Sequence, residues 1–503
     1  MTDNHNPSGR KGIVSRRSIL KATGTSIVTA GFAGCSGGGD SGSGGSSGGS
    51  GGSSGDSGGS SDGSGGSGGT TTSGGSSDDL SDVEFQYWNT VNVQSRKAKA
   101  VSQALLSSFQ KDTGASVKTN WTGYGGVIGA KWKTSFGQGN YPVLYDSTSA
   151  WDGQFEKWIK PFSEYQGQFS DDFLEGIEWL TPKLKEQWGG FGNDVVYEVP
   201  LGFSVQVPFV ARMDHFDEAG LSRDRFPPKS YDDLIDIATT LQKDGPGEYG
   251  YQMHGTKFDA FDCRAPDLVA DVGGEKGTFL NEDWSDTYWD NDAYKTGVRR
   301  WVEMYTKHNL SGPGTPNHDD EAMVQEIVSG RCSMTGGDFL NHPNFLDSAP
   351  DMMENGDIQW GAMWKGGASD ASAAGFIRPL TFGITKPPEG ADQAAWEKKQ
   401  KAAIELIKYF TSKGNQKALF ENFGLMPARD DVWDELPTGQ PHNVYNAATT
   451  MAENTDMVWE AHPATVSMQY NVPGPELQKA LKGEISPEQA CDNVASTIRN
   501  EFL

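Results

Sequence analysis

Tyr197-Glu198-Val199-Pro200-Leu201-Gly202-Phe203-Ser204-Val205-Gln206-Val207-Pro208-Phe209-Val210 is the stretch on which the fold turns. Downstream of it, Ser230 and Asp233 form a capping box, and Leu234, Ile237, Ala238 and Leu241 recur on one apolar face, so a helix starts at Ser230. Upstream, Val83-Glu84-Phe85-Gln86-Tyr87-Trp88 alternates as a strand does, and Val101, Ala104, Leu105 and Phe109 follow with helical spacing until Thr113-Gly114 stops them. Ser116-Val117-Lys118-Thr119-Asn120-Trp121 alternates again, and Val143-Leu144-Tyr145 is a short apolar strand ending at Asp146. This strand–helix–strand rhythm predicts an α/β fold with a largely parallel sheet. Ligands of such sheets sit beyond the carboxyl ends of the strands, which puts Trp88, Asn89, Trp121, Asp146 and Ser147 on one rim.

Four segments in order carry a family resemblance. Val199 to Val210 leads through Met213-Asp214-His215-Phe216-Asp217-Glu218-Ala219-Gly220-Leu221 to Pro227-Pro228-Lys229-Ser230-Tyr231-Asp232-Asp233-Leu234. Val324 to Asp338 contains a helix-to-strand return through Ser329-Gly330-Arg331-Cys332-Ser333-Met334. Ala403 to Ser412 is followed by Gly424-Leu425-Met426-Pro427-Ala428-Arg429, and Leu477 to Ala490 includes Ser486-Pro487-Glu488-Gln489 at a helix start. Together they resemble the family 1 extracellular solute-binding proteins of ABC importers, of the maltodextrin-binding kind. Arg212-Met213 replaces the Asn-Lys usual in that family.

The resemblance implies a type II periplasmic-binding-protein fold: two lobes, each a mainly parallel sheet flanked by helices, joined by a three-crossing hinge around a central ligand cleft. The crossings fall near 199–206, 332–338 and 376–383. Lobe one is expected at 81–200 plus 335–378, and lobe two at 205–330 plus 382–503. It implies a monomer that closes its lobes on a small molecule and presents it to permease subunits in the membrane.

The ends of the chain fit this reading. Ser15-Arg16-Arg17-Ser18-Ile19-Leu20-Lys21 and the short apolar stretch after it read as a twin-arginine export signal. Phe32-Ala33-Gly34-Cys35 resembles a lipobox, so residues 1–35 are expected to be a leader and Cys35 the lipidated residue. Residues 36–80 are a Gly/Ser tract with almost no apolar side chains, expected to be a disordered tether. A coil of that length spans roughly 32–39 Å, enough to let the body work beside a membrane. The expected location is the extracellular face of the cytoplasmic membrane.

The formal net charge is −25, and the leader carries five basic residues against one acidic, so the body is more acidic still. A nucleic-acid-binding surface is excluded on that charge. An acidic surface poor in lysine resembles proteins of high-salt environments, where screening relieves self-repulsion.

The body is rich in tryptophan. Aromatic faces suit the C–H faces of sugars, and planar carboxylates and amides suit their hydroxyls. The candidate ligand contacts are therefore Trp88, Asn89, Trp121, Asp146, Ser147, Trp151, Phe203, Asp338, Trp364 and Trp459. Each has a plainer reading: tryptophans are often core, and Asp146 and Asp338 also suit helix N-caps. A polyamine or another non-sugar solute stays open as ligand, and Arg378 is the one cation placed for an anion. A surface lipoprotein without transport and a secreted glycoside hydrolase are the remaining alternatives.

Enzymatic motifs are missing. Gly202-Phe203-Ser204-Val205-Gln206 lacks the final glycine of a nucleophile elbow, and there is no H-E-x-x-H or phosphate loop. Trp289-Asp290-Asn291-Asp292 reads as a helix cap and His318 as part of a solvated helix start. Cys263, Cys332 and Cys491 show no metal spacing. No metal and no cofactor is expected.

Overall fold

The computed structural model describes residues 80–90, 96–122, 131–191, 195–256, 279–281, 283–364, 375–455 and 459–503. The expected leader, the lipidation site Cys35, most of the tether and Cys263 lie outside them.

Strands β1 (Glu84–Asn89), β2 (Ser116–Trp121) and β3 (Leu144–Thr148) form where alternation predicted them. Between β1 and β2 runs α1 (Arg96–Thr113), which buries Val101, Leu105 and Phe109. It stops at Gly114, whose φ of +76° an L side chain rarely adopts. β1 pairs parallel with both β2 and β3.

Strand β4 (Val199–Arg212) is 14 residues long and organises the rest. Its first half, Val199–Gln206, pairs antiparallel with β7 (Phe376–Ile384), which also pairs with β3. Its second half pairs antiparallel with β5 (Met334–Asp338) and β6 (Ile358–Gly361). The path through the sheet is β2-β1-β3-β7-β4-β5, with β6 and the two-residue β8 (Met426–Pro427) also on β4. The register slips between Gln206 and Phe209, where Pro208 has no N–H to give the ladder. It slips again at Gly202, where a Cβ would stand 2.6 Å from the Met426 carbonyl oxygen.

The helices sort onto the two halves of β4. α2 (Tyr231–Asp244) starts as expected, with Ser230 Oγ accepting from Asp233 N–H at 3.1 Å. The return bond differs from a capping box, because Asp233 Oδ2 accepts from Lys229 N–H at 2.9 Å. α3 (Asp292–Thr306) is capped by Asn291, as read from the sequence. α4 (Asp320–Val328) is capped by Asp319. α5 (His342–Ser348) follows β5. α6 (Gln393–Phe410) packs on α1, β1 and β7, and α7 (Lys413–Phe423) on α1. α8 (Pro473–Leu481) and α9 (Pro487–Glu501) pack on each other and on α3.

One expectation needs correction. The parallel ladders belong to β1, β2 and β3, whereas the strand ladders around β4 are antiparallel, joined by parallel bridges at Tyr249–Cys332 and Gln252–Thr335. The bounds expected of the two lobes remain a proposal: β5 and β6 pair with the far half of β4, while α5 between them packs on α1 and α7, and α6 packs on α1, β1 and β7.

Among the described residues Cys332 and Cys491 are free and buried. His342 is buried with neither ring nitrogen hydrogen-bonded, between α5 and Gly424, and its pKa falls to about 3 through burial, with His442 adding to it. Burial likewise lowers His215 and His462 to about 4. These rings are neutral when folded, but take a proton near pH 6.5 when unfolded. Their stabilisation is present above pH 6.5 and is lost as pH falls toward 4, at about 1.4 kcal/mol per pH unit for a fully buried histidine. Denaturant titrations from pH 7 to 4 are expected to show this fall, and His342→Leu to flatten it.

Candidate ligand-binding cleft

The junction of the two lobes lies at Ser204 and Gln206, where β4 passes from one set of partners to the other. Side chains alternate along a strand, so these two share a face and Phe203 and Val205 take the opposite one. On the Ser204 face, Asp338 at the end of β5 ties three strands together. Its Oδ1 accepts from Ser204 Oγ on β4 and from Leu340 N–H at 2.9 Å, and its Oδ2 accepts from Arg378 on β7. Asp338 thus caps a short 3-10 turn, as one sequence reading had it, and also anchors an ion pair. Both charged groups are almost wholly buried. With its charge met by Asp338, Arg378 does not serve as the open anion site considered from sequence.

Beside them, Trp459 donates its Nε1–H to Gln206 Oε1 at 3.0 Å and stacks on Phe376, with ring centroids 4.4 Å apart and planes 11° apart. The neighbouring Glu460 accepts from Leu280 N–H at 3.1 Å. Trp151 donates to Gln469 Oε1 at 3.1 Å and meets Tyr470 edge-on at 5.6 Å. Trp364, after β6, stacks on Phe209 at 5.6 Å. Asp338 and Trp459 therefore sit at the crossing strands, Trp364 stacks on the second half of β4, and the segment Ser149–Asp152 that carries Trp151 lies against β7.

The remaining candidates are placed differently. Asp146 is fully buried and its carboxylate is occupied: Oδ2 accepts from Tyr87 Oη, and Oδ1 from Thr90 N–H at 2.6 Å and Thr90 Oγ1 at 2.9 Å. Asn89 Nδ2 donates to Tyr87 Oη at 2.7 Å. This network clamps the ends of β1 and β3, and burial, with the Asp146 carboxylate adding to it, pushes the Tyr87 phenol well above its usual pKa. Ser147 is buried and its hydroxyl donates to the Thr148 carbonyl at 3.3 Å. Trp88 faces a packed cluster with Trp132 and Phe136. Phe203 packs between Trp179 and Trp433, because alternation turns it away from Ser204. Trp121 ends the edge strand β2, half-buried, with Lys99 Nζ 5.4 Å from its ring centre. His318 contacts Gln252 through Nδ1 at 2.5 Å.

Sequence reasoning missed Gln206, Phe376, Gln469 and Tyr470. Gln206 was in principle legible, being a polar residue inside the most apolar strand. A groove of about 510 Å³ lined by Phe162, Leu174, Ile177, Thr181, Leu184 and Pro200 lies in the first lobe against the start of β4.

Residues 88–417 match the family described as bacterial extracellular solute-binding protein. No curated protein sequence matches the chain. Solved structures share the fold. An ABC transporter solute-binding protein from Thermotoga lettingae bound with α-D-tagatose superposes with a TM-score of 0.68 at 20% identity, covering 83% of this chain and 99% of that one. Maltose-bound MalE3 of T. maritima gives 0.65 at 17% identity, with 83% and 99% covered. The maltose/maltodextrin-binding domain MalE of Bdellovibrio bacteriovorus bound to maltotriose gives 0.63 at 14%, with 84% and 100% covered. With a family model spanning most of its body and a strand, β4, shared by both lobes, the chain belongs to the bacterial extracellular solute-binding proteins.

Proposed function

We propose that this protein binds a sugar or oligosaccharide between its two lobes and delivers it to the permease of an ABC importer. The reading is carried by the side chains collected at the crossing: Trp151, Trp364, Trp459 and Tyr470 for C–H faces, with Gln206 and Gln469 for hydroxyls. Solved proteins of the same fold hold tagatose, maltose and maltotriose, in keeping with that chemistry. A ligand touching both lobes favours their approach, and the permease reads the closed shape. No catalytic step is assigned to it.

In this reading Cys35 carries the lipid, residues 36–80 are the tether, and a monomeric body works at the outer face of the membrane. Among the described residues no helix is long and apolar enough to cross a membrane.

A thermal-shift screen of the mature chain in high salt tests the ligand class. A sugar at a hundredfold excess over its Kd stabilises the folded state by about 2.7 kcal/mol. The expected result is a rise in Tm with mono- or oligosaccharides that Trp364→Ala removes. A rise with polyamines alone keeps the receptor and discards the sugar. No rise with any class contradicts the transport reading.

A further inference from the structure

Gln187 closes the helix Thr181–Gln187. Its side chain is 1% exposed, yet neither amide atom has a hydrogen-bond partner among the described residues. A buried amide left open is destabilising, so this group calls for a polar partner from outside the chain. Backbone contacts fix its place. The Gln187 carbonyl accepts from Ala461 N–H at 2.8 Å, two residues beyond Trp459. The helix packs on the turn Ser149–Asp152, which carries Trp151. Gly153, next in the chain, runs so close to the same segment that a Cβ there would stand 1.6 Å from the Ala461 carbonyl oxygen. Gln187 therefore lies where the Trp151 and Trp459 segments meet. Thr148, just before the turn, is also buried, and its hydroxyl likewise has no partner among the described residues. The neighbouring Trp188 is engaged elsewhere: its ring lies 4.4 Å from that of Tyr197, and its Nε1–H donates to Glu198 at 3.1 Å.

We propose that Gln187 is a further ligand contact and that it selects hydroxyl compounds over cations and anions, an inference that rests on the carbohydrate reading above. An amide presents an acceptor, Oε1, beside a donor, Nε2–H. Hydroxyl groups satisfy both, because each can donate and accept. A polyamine offers only N–H donors and leaves Nε2–H unpaired. An anion offers only acceptors and leaves Oε1 unpaired. A buried polar group left without its partner is the strongest means a site has of rejecting the wrong ligand.

The test uses the mature chain in high salt. Maltose, maltotriose and D-tagatose are the probes, and spermidine and inorganic phosphate are controls expected not to bind. Affinity is read by calorimetric titration, and stability by melting without ligand. Gln187→Met keeps the size of the side chain and removes both polar atoms. It is expected to weaken binding of the best sugar about tenfold while the ligand-free Tm holds or rises. Gln187→Leu repeats the test if Gln187→Met does not fold. Unchanged sugar affinity in a folded variant would overturn the assignment and leave the carbohydrate reading standing. So would a ligand-free Tm several degrees lower in both variants, since the amide would then be satisfied by water within the fold. A wild-type chain that binds none of the sugars removes the carbohydrate reading itself, and the selection falls with it.

Discussion

Arg378→Met is expected to destabilise the protein by about 3–5 kcal/mol, because it strands a buried Asp338 carboxylate without its cation. Asp338 bonds to β4 through Ser204 and to β7 through Arg378, so the loss falls on the strands that join the lobes. The double variant Arg378→Met with Asp338→Leu is expected to recover much of the loss, since removing both partners leaves no unpaired charge. Denaturant unfolding of wild type, both singles and the double measures the coupling. A single-variant cost below about 1 kcal/mol would mean that the pair is solvated and not a hinge anchor.

Trp459→Ala is expected to cost about 3–5 kcal/mol through the cavity left beside Phe376 and to abolish sugar-induced stabilisation. Part of the cost is chemical, since Gln206 Oε1 loses the indole N–H that it accepts. Trp459→Phe keeps a ring on Phe376 but loses the hydrogen bond and part of the buried ring volume, for about 1–3 kcal/mol, so it leaves most of the stacking in place. Melting curves with and without sugar on both variants give the comparison. If Trp459→Ala retains wild-type sugar affinity, the residue is core alone and the ligand lies elsewhere.

Local patterns in the sequence carried well into the structure. Alternation located β1 and β2, Gly114 ended α1, and the caps at Ser230, Asn291 and Ser486 formed as their side chains allow. The order of the four family segments led to the solute-binding fold. What failed was long-range. Nothing local in Met334–Asp338 says that its neighbour is the far half of β4. The helices at 393–423 carry an apolar face that fits either lobe, and only packing on α1 decides.

For the proposed site, the sequence offered residue types more than positions. Asp338 and Trp459 lie at the crossing strands, strand alternation turns Phe203 away, and β2, which carries Trp121, is at the sheet edge. Asp146 has the chemistry of a sugar ligand, yet Tyr87 and Thr90 use up its oxygens. A sequence names the groups that can bond, while the fold decides which have already done so.

Small-angle scattering of the mature chain in high salt, recorded while titrating a stabilising sugar, tests most directly whether two lobes close on a carbohydrate. The account predicts a saturable fall in the radius of gyration that tracks binding and is absent in Trp364→Ala. Binding with no change in shape, or no response to any sugar by a folded protein, would contradict it.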